Sequence, residues 1–291
     1  MTQTILLLGA NGGVGRAVAQ ALLSRDFTVL ATVSRPEIVS VLQREVPGCR
    51  RVVPLDLSNA DLLAPALGRL IDDLPRLDGV VVCAAVSPFA PAEMTALEVF
   101  RSTMEINCVS HLAIYQAALP ALRLSKGRLV FTGSLSGRVA TPMMGAYVAS
   151  KFALEGLADV MRQEASAWGV EVILLQPGTI DTPILRRSRD ALVATVARLE
   201  DPERGLYGRL YRQMLYRLNA ALEAGGIMPA ATVAAVVVEA LVCPNPQARY
   251  RVGADAEFLI EASRTKSDRK IDALVLDIYR SAPVDADSAD G

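Results

Sequence analysis

The chain has one histidine, one tryptophan and four cysteines in 291 residues. A single imidazole, His111, argues against a histidine-based metal centre, which gathers several nitrogen or sulfur ligands at close spacing. Cys49, Cys83, Cys108 and Cys243 form no CxxC pair and no metal-ligand spacing, so they read as reduced thiols of a cytoplasmic protein. An excess of one charge is also missing. Thirty Lys and Arg balance 31 Asp and Glu to a net charge of -1, which argues against a nucleic-acid partner, because that needs a basic face. Mean hydropathy is +0.32, yet no long apolar run exists. The most apolar stretch, 230–242, is short and contains Glu239, whereas a spanning helix needs ~20 apolar residues. Only Met1 to Thr4 precede the first strand-like run, which leaves no room for a signal peptide in this reading. Aromatics are 5%, so Ala, Val and Leu must build the core, and 52% apolar residues are enough to build a large one.

What is present is an alternation. Short, mostly apolar runs at 5–8, 28–33, 51–55, 79–83, 128–132, 170–175 and 250–253 are separated by segments with helical spacing at 15–24, 38–45, 60–70, 97–122 and 146–168. Strands that are apolar at every position are buried on both faces, which implies a parallel sheet covered by helices on each side. The pattern predicts an α/β doubly wound (Rossmann) fold with a seven-stranded parallel sheet. No repeat, linker or composition break divides it. The expectation is a single domain over 1–281, with a helical insertion at 184–228 lying over the sheet and a helical C-terminal extension at 254–281. The acidic, small-residue tail 282–291 is predicted to be disordered.

The first strand runs into Gly9-Ala10-Asn11-Gly12-Gly13-Val14-Gly15. Glycines there let the backbone turn tightly and approach a pyrophosphate. The helix that follows offers free N–H groups and the positive end of its dipole. The context of strand, glycine loop and helix predicts dinucleotide binding. Gly9, Gly13 and Gly15 fit GxxxGxG, and Gly9, Gly12 and Gly15 fit GxxGxxG, so the loop alone does not choose. The second strand ends in Ser34 and Arg35 with no carboxylate for a ribose 2′-hydroxyl. That favours NADP(H), whose 2′-phosphate takes a basic partner, over NAD(H). Asp56, followed by Leu57, could meet the adenine amino group or cap the helix beginning near Asn59.

Tyr147 and Lys151 are i and i+4 at the start of a helix and share a face. An ammonium beside a phenol favours the phenolate and brings its pKa toward working pH, so the pair can move a proton to or from a substrate oxygen. Ser134 stands 13 residues earlier, at the end of the fifth strand. Ligands of a parallel sheet bind at the carboxyl ends of its strands, so Ser134 and the glycine loop fall on one edge. A hydroxyl there can hydrogen-bond a carbonyl or alkoxide oxygen.

Together these motifs resemble the short-chain dehydrogenase/reductase superfamily over Thr4 to about Gly253, in its shorter-chain GxxxGxG/YxxxK branch. The closer likeness is to hydroxysteroid and retinol dehydrogenase-like members, through 133–139, 147–156 and 249–253. The resemblance implies further roles. Asn107 would support a water-linked proton relay to Lys151. Pro177-Gly178-Thr179-Ile180-Asp181-Thr182 matches the PGxxxT turn that faces the nicotinamide, with Thr182 on its carboxamide. Gly9, Gly13 and Gly15 become the functional glycines, and Ala84 and Ala85 lie beside the cofactor. Two departures stand out. Leu8 replaces the usual Thr before the first glycine, and Cys83-Ala84-Ala85-Val86 stands where NNAG is usual, which removes two amides that brace the central strand.

The resulting expectation is an oxidoreductase that interconverts a secondary alcohol and a ketone on an apolar substrate of steroid, retinoid or polyketide type. Tyr147 is its general acid/base. Phe89, Met143, Met144, Leu185, Tyr207 and Tyr211 are candidate pocket residues, the last two on a substrate lid. His111 reads as a packed side chain. The resemblance implies a homodimer or homotetramer. A sugar-nucleotide epimerase or dehydratase, and an NADP(H)-sensing protein without turnover, are the alternatives.

Overall fold

The computed structural model describes residues 2–223 and 227–280; the tail assigned to disorder lies outside them. Up to the middle of the chain, strand and helix alternate as β1 (Thr4–Leu8), α1 (Gly13–Leu23), β2 (Thr28–Val33), α2 (Val39–Glu45), β3 (Arg51–Pro54), α3 (Ala60–Asp72) and β4 (Gly79–Val82). Then come α4 (Leu97–Met104), α5 (Ser110–Ser125), β5 (Arg128–Thr132), α6 (Gly145–Ala165) and β6 (Glu171–Pro177). Beyond β6 lie β7 (Ile180–Asp181), α7 (Pro183–Val196), α8 (Glu203–Glu223), β8 (Met228–Pro229), α9 (Ala230–Val242), β9 (Arg249–Val252), α10 (Ala254–Thr265) and α11 (Asp268–Arg280).

Seven strands form one parallel sheet in the order β3-β2-β1-β4-β5-β6-β9. The order reverses direction beside β1, which is where a doubly wound sheet opens a crevice for a ligand. The alternating side chains of the strands feed two apolar layers. Leu6, Leu8, Val80, Val82, Leu129 and Phe131 face α3, α5 and α6. Ile5, Leu7, Val81, Val130 and Ile173 face α1, α2 and α9. The apolar stretch at 230–242 is therefore α9, a crossover helix that packs on α1 and not a membrane segment. Among the described residues no helix is long and apolar enough to cross a membrane.

Three local expectations are corrected. The long helix expected over 97–122 is broken by a π-helical turn, Glu105–Val109, between α4 and α5. Such wide turns interrupt α-helices chiefly at functional sites. Asn59, not Asp56, caps α3: its side chain accepts from Leu62 N, while Asp56 closes a local turn onto Ser58. The insertion is not strand-free, because β8 pairs with β7 and so returns the chain to the point where it left the sheet.

A third apolar cluster lies outside the sheet layers. Leu192, Tyr211, Met214 and Leu218 of α7 and α8 pack against Ile260, Val275 and Tyr279 of α10 and α11, with Leu135 and Met143 beneath. The insertion and the C-terminal helices thus form one cap over the carboxyl edge of the sheet.

Candidate active site

A cavity of about 700 Å³ opens along that edge. Gly9, Asn11, Gly12, Gly13 and Val14 line one end, with Ser34, Asp56 and Leu57 beyond them. Ala84 and Ala85 of the loop after β4 form its middle. Ser134, Tyr147 and Lys151 line the far end together with Pro177, Gly178, Ile180 and Thr182. Gly15, Arg35, Thr179 and Asn107 do not line it.

The glycines differ in what they permit. Gly9 adopts φ +80°, and a Cβ there would lie 2.7 Å from Ala84. A Cβ on Gly15 would lie 2.2 Å from the Gly9 carbonyl oxygen, and one on Gly13 would lie 2.9 Å from Pro183 Cδ. A Cβ on Gly12 meets only the Gly9 oxygen, at an ordinary 3.5 Å. The three positions without room are those of GxxxGxG. The N-terminus of α1 has no side-chain cap, so its first N–H groups stay free for an anion. This donor set fits a dinucleotide pyrophosphate.

Beyond the glycine loop at this same end, Asn11 and Ser34 bind each other. Asn11 Oδ1 accepts from Ser34 N at 3.3 Å, and its Nδ2 donates to Ser34 Oγ at 3.4 Å. Arg35 is exposed just past this pair.

The polar end is built by β5, α6 and the π turn. Ser134 follows β5, and its hydroxyl accepts from Ser136 N at 3.1 Å while lining the same end of the cavity as the Tyr147 phenol. Lys151, 1% exposed, donates from Nζ to the Thr132 carbonyl at 2.8 Å. Its ammonium lies 5.6 Å from the Tyr147 ring centroid. Burial pushes the lysine down to about 8, opposed by attraction to Cys108, Cys83 and Glu155. Burial pushes the Tyr147 phenol up, and the nearby Ser134 hydroxyl opposes that. The phenol's shift is therefore upward, and the Lys151 ammonium is hydrogen-bonded to the Thr132 carbonyl. This differs from the downward shift expected from the sequence.

Asn107 is fully buried and acts on the backbone. Its Oδ1 accepts from Val86 N at 2.9 Å, and its Nδ2 donates to Val86 O at 2.8 Å and to Ser150 Oγ at 3.0 Å. Ser150 in turn donates to the Tyr147 carbonyl at 2.7 Å. One amide therefore ties the loop that lacks NNAG to α6, the helix that carries Tyr147 and Lys151. Sequence reasoning missed Ser150, whose only signal was its place three residues after Tyr147.

A second missed residue is Asp255, at the start of α10. Its carboxylate accepts from Thr179 N at 2.8 Å and sits where a Cβ on Gly178 would be. The PGxxxT turn is thus braced by the C-terminal extension, a contact across more than 70 residues that carries no local signal.

The six candidate pocket residues do not line the main cavity. Met143 and Tyr211 are buried members of the cap cluster, and Phe89, Met144, Leu185 and Tyr207 pack against it half-buried. The Tyr207 hydroxyl donates to Glu93, and the Tyr211 hydroxyl reaches Met94 Sδ at 3.9 Å, so α8 is fastened to the loop after β4. His111 is packed: its ring lies 5.0 Å from that of Phe131, and burial with the nearby Lys151 charge pushes it down to about 3. Burial also pushes the Cys83 thiol up to about 12, against a hydrogen bond from Thr132 and the pull of Lys151. No cluster of metal-ligating side chains occurs among the described residues.

A family model described as short chain dehydrogenase matches residues 3–192. The chain is 25% identical over 281 residues to the NADPH-dependent 3-dehydrocapnine reductase of Ornithobacterium rhinotracheale, covering 92% of this chain and 94% of that protein. It is 31% identical over 267 residues to the 11-beta-hydroxysteroid dehydrogenase type 2 of Homo sapiens, covering 87% of this chain and 64% of that longer protein. A solved short chain dehydrogenase from Burkholderia cenocepacia, in complex with NADP, superposes with a TM-score of 0.70 at 24% identity. That match covers 94% of this chain and 98% of that one.

Proposed function

The chain belongs to the short-chain dehydrogenase family of oxidoreductases that act on alcohol- and ketone-type substrates, and from that premise we propose an NADP(H)-preferring enzyme that interconverts a secondary alcohol and a ketone on an apolar substrate. The observation that carries the proposal is that Ser134, Tyr147 and the buried Lys151 line one end of the same cavity as the glycine loop.

The dinucleotide, when bound, supplies or accepts the hydride. Gly9, Gly13, Gly15 and the uncapped start of α1 would hold its pyrophosphate, and the turn 177–182 would hold its nicotinamide. Ser134 orients the substrate oxygen. Tyr147, kept protonated by burial, donates its proton to that oxygen in the reductive direction and recovers it in the oxidative one. Lys151 places a positive charge below the phenol and stabilises the phenolate left after donation. Asn107 holds the loop after β4 and, through Ser150, the first turn of α6.

Ser34 on the cavity wall and the exposed Arg35 beside it support the NADP(H) preference, as does the printed cofactor of the 3-dehydrocapnine reductase. Val86, Val99, Ile106, Ile180 and Ile184 on the cavity wall support an apolar substrate. Exposed Val109, Leu112, Phe152 and Val160 on α5, α6 and the turn before α5 support a homodimer through these helices.

Nicotinamide absorbance over a panel of apolar ketones tests the reading. Tyr147→Phe is expected to abolish turnover while NADPH still binds. A variant with near-native kcat overturns the assignment of Tyr147, and tighter binding of NADH than NADPH overturns the Ser34/Arg35 argument.

A further inference from the structure

The first turn of the cap helix α7 rests on the glycine loop. A Cβ on Gly13 would lie 2.9 Å from Pro183 Cδ and 3.0 Å from Thr182 Cβ, so the starts of α7 and α1 are in contact. Ile184 and Arg187, three residues apart on one helix face, line the cavity. Arg187 stands four residues beyond Pro183, a rise of about 6 Å, which an arginine side chain can span.

Arg187 is exposed and, among the described residues, makes no hydrogen bond or ion pair. Its neighbours are engaged: Arg186 with Asp181 at 2.8 Å and Arg189 with Asp190 at 3.1 Å. The other cation lining the cavity, Lys151, is spent on the Thr132 carbonyl. The one carboxylate lining it, Asp56, is turned onto Ser58. A free guanidinium and an uncapped helix N-terminus therefore border the same space. Both donate and neither accepts, which is an arrangement completed by an anion with several oxygens.

We propose that Arg187 clamps the pyrophosphate of the dinucleotide against the start of α1, so that cofactor binding draws α7 over the site. This rests on the dinucleotide reading above and adds a residue that neither the glycine motif nor the Ser-Tyr-Lys set contains. Arg187 belongs to the cap, so it couples cofactor occupancy to closure over the substrate.

The test is calorimetric titration of the full chain, wild type and Arg187→Ala, with NADPH, ADP-ribose and adenosine 2′-monophosphate. ADP-ribose carries the pyrophosphate without the nicotinamide, and adenosine 2′-monophosphate lacks the pyrophosphate. A hydrogen-bonded charge pair of this kind corresponds to roughly tenfold or more in affinity. Arg187→Ala is expected to weaken NADPH and ADP-ribose by that factor, leave adenosine 2′-monophosphate unchanged, and flatten the salt dependence of NADPH binding. NADPH is expected to protect α7 and α8 from proteolysis in the wild type and less in the variant. Equal ADP-ribose affinity in both proteins overturns the inference. So does a variant that changes only the KM of the ketone, because the guanidinium then serves a substrate anion. A wild type that binds neither NADPH nor ADP-ribose overturns the dinucleotide reading and the clamp with it.

Discussion

Asn107 offers the sharpest test of how this site is held together. The segment 83–86 is Cys-Ala-Ala-Val and has no side-chain amide of its own. It still lines the cavity, and Ala84 packs against Gly9 closely enough that a Cβ on Gly9 would lie 2.7 Å away. Asn107 supplies the missing amide from the π turn, through two hydrogen bonds to Val86 and one to Ser150. Asn107→Ala leaves the Val86 N–H and C=O without partners. Each orphaned group costs ~1–3 kcal/mol, and Val86 borders an open cavity where water can partly replace the amide, so the lower half applies: about 2–4 kcal/mol in all. At ~2 °C per kcal/mol for a chain of this size, Tm falls by roughly 4–8 °C. Asn107→Asp keeps an acceptor for Val86 N but has no donor for Val86 O, and it buries a carboxylate. It is expected to lose stability as well. Thermal melts and NADPH titration on the same samples read both effects, and NADPH affinity is expected to fall because Ala84 and Ala85 lose their brace. An Asn107→Ala protein that melts within about 1 °C of the wild type and binds NADPH equally well refutes the brace.

Two further outcomes separate residues that the sequence treats alike. Gly15→Ala places a methyl 2.2 Å from a backbone oxygen, so the loop must move; a large loss of both Tm and NADPH affinity is expected. Gly12→Ala, with its nearest contact at 3.5 Å, is expected to fold with near-native Tm, and equal damage in both variants would contradict the GxxxGxG assignment. The second outcome concerns pH. Lys151 titrates near 8 in the folded chain and near 10.5 when unfolded, so between these values the unfolded chain holds the extra proton and stability rises with pH. Below about 8 both states are protonated, and the burial cost is carried in full. Relative to Lys151→Met, which lacks the group, the wild type is expected to gain stability from pH 8 to 10.5 and to run parallel below 8 in chemical denaturation. Curves that stay parallel throughout sink the argument.

Much of the candidate site was legible because it is local. Tyr147 and Lys151 share a helix face through i, i+4 spacing. Gly9 to Gly15 form one turn between a strand and a helix. A parallel sheet then sends Ser134 to the same edge as the glycine loop. What stayed hidden was carried by contacts between distant segments. Nothing near Asp255 signals that its carboxylate meets Thr179, and nothing near Asn107 signals that it holds Val86 and breaks a helix with a π turn. The candidate pocket residues show the same limit. Helical spacing at Tyr207 and Tyr211 marked an apolar stripe, but the packing of α7 and α8 on α10 and α11 put that stripe into a cap core outside the main cavity.

The sequence by itself determined the fold class and the polar set, because a sheet apolar on both faces and a motif within one turn or one helix face depend only on chain periodicity. The tertiary structure decided the rest. It chose among the glycines by which positions leave no room for a Cβ. It set Lys151 on the Thr132 carbonyl, with its ammonium 5.6 Å from the Tyr147 ring centroid. It also brought Arg187, unpaired among the described residues, to the cavity beside the uncapped start of α1. The physical reason is that burial, steric room and charge environment are properties of what surrounds a residue, and those surroundings come from parts of the chain that only folding brings together.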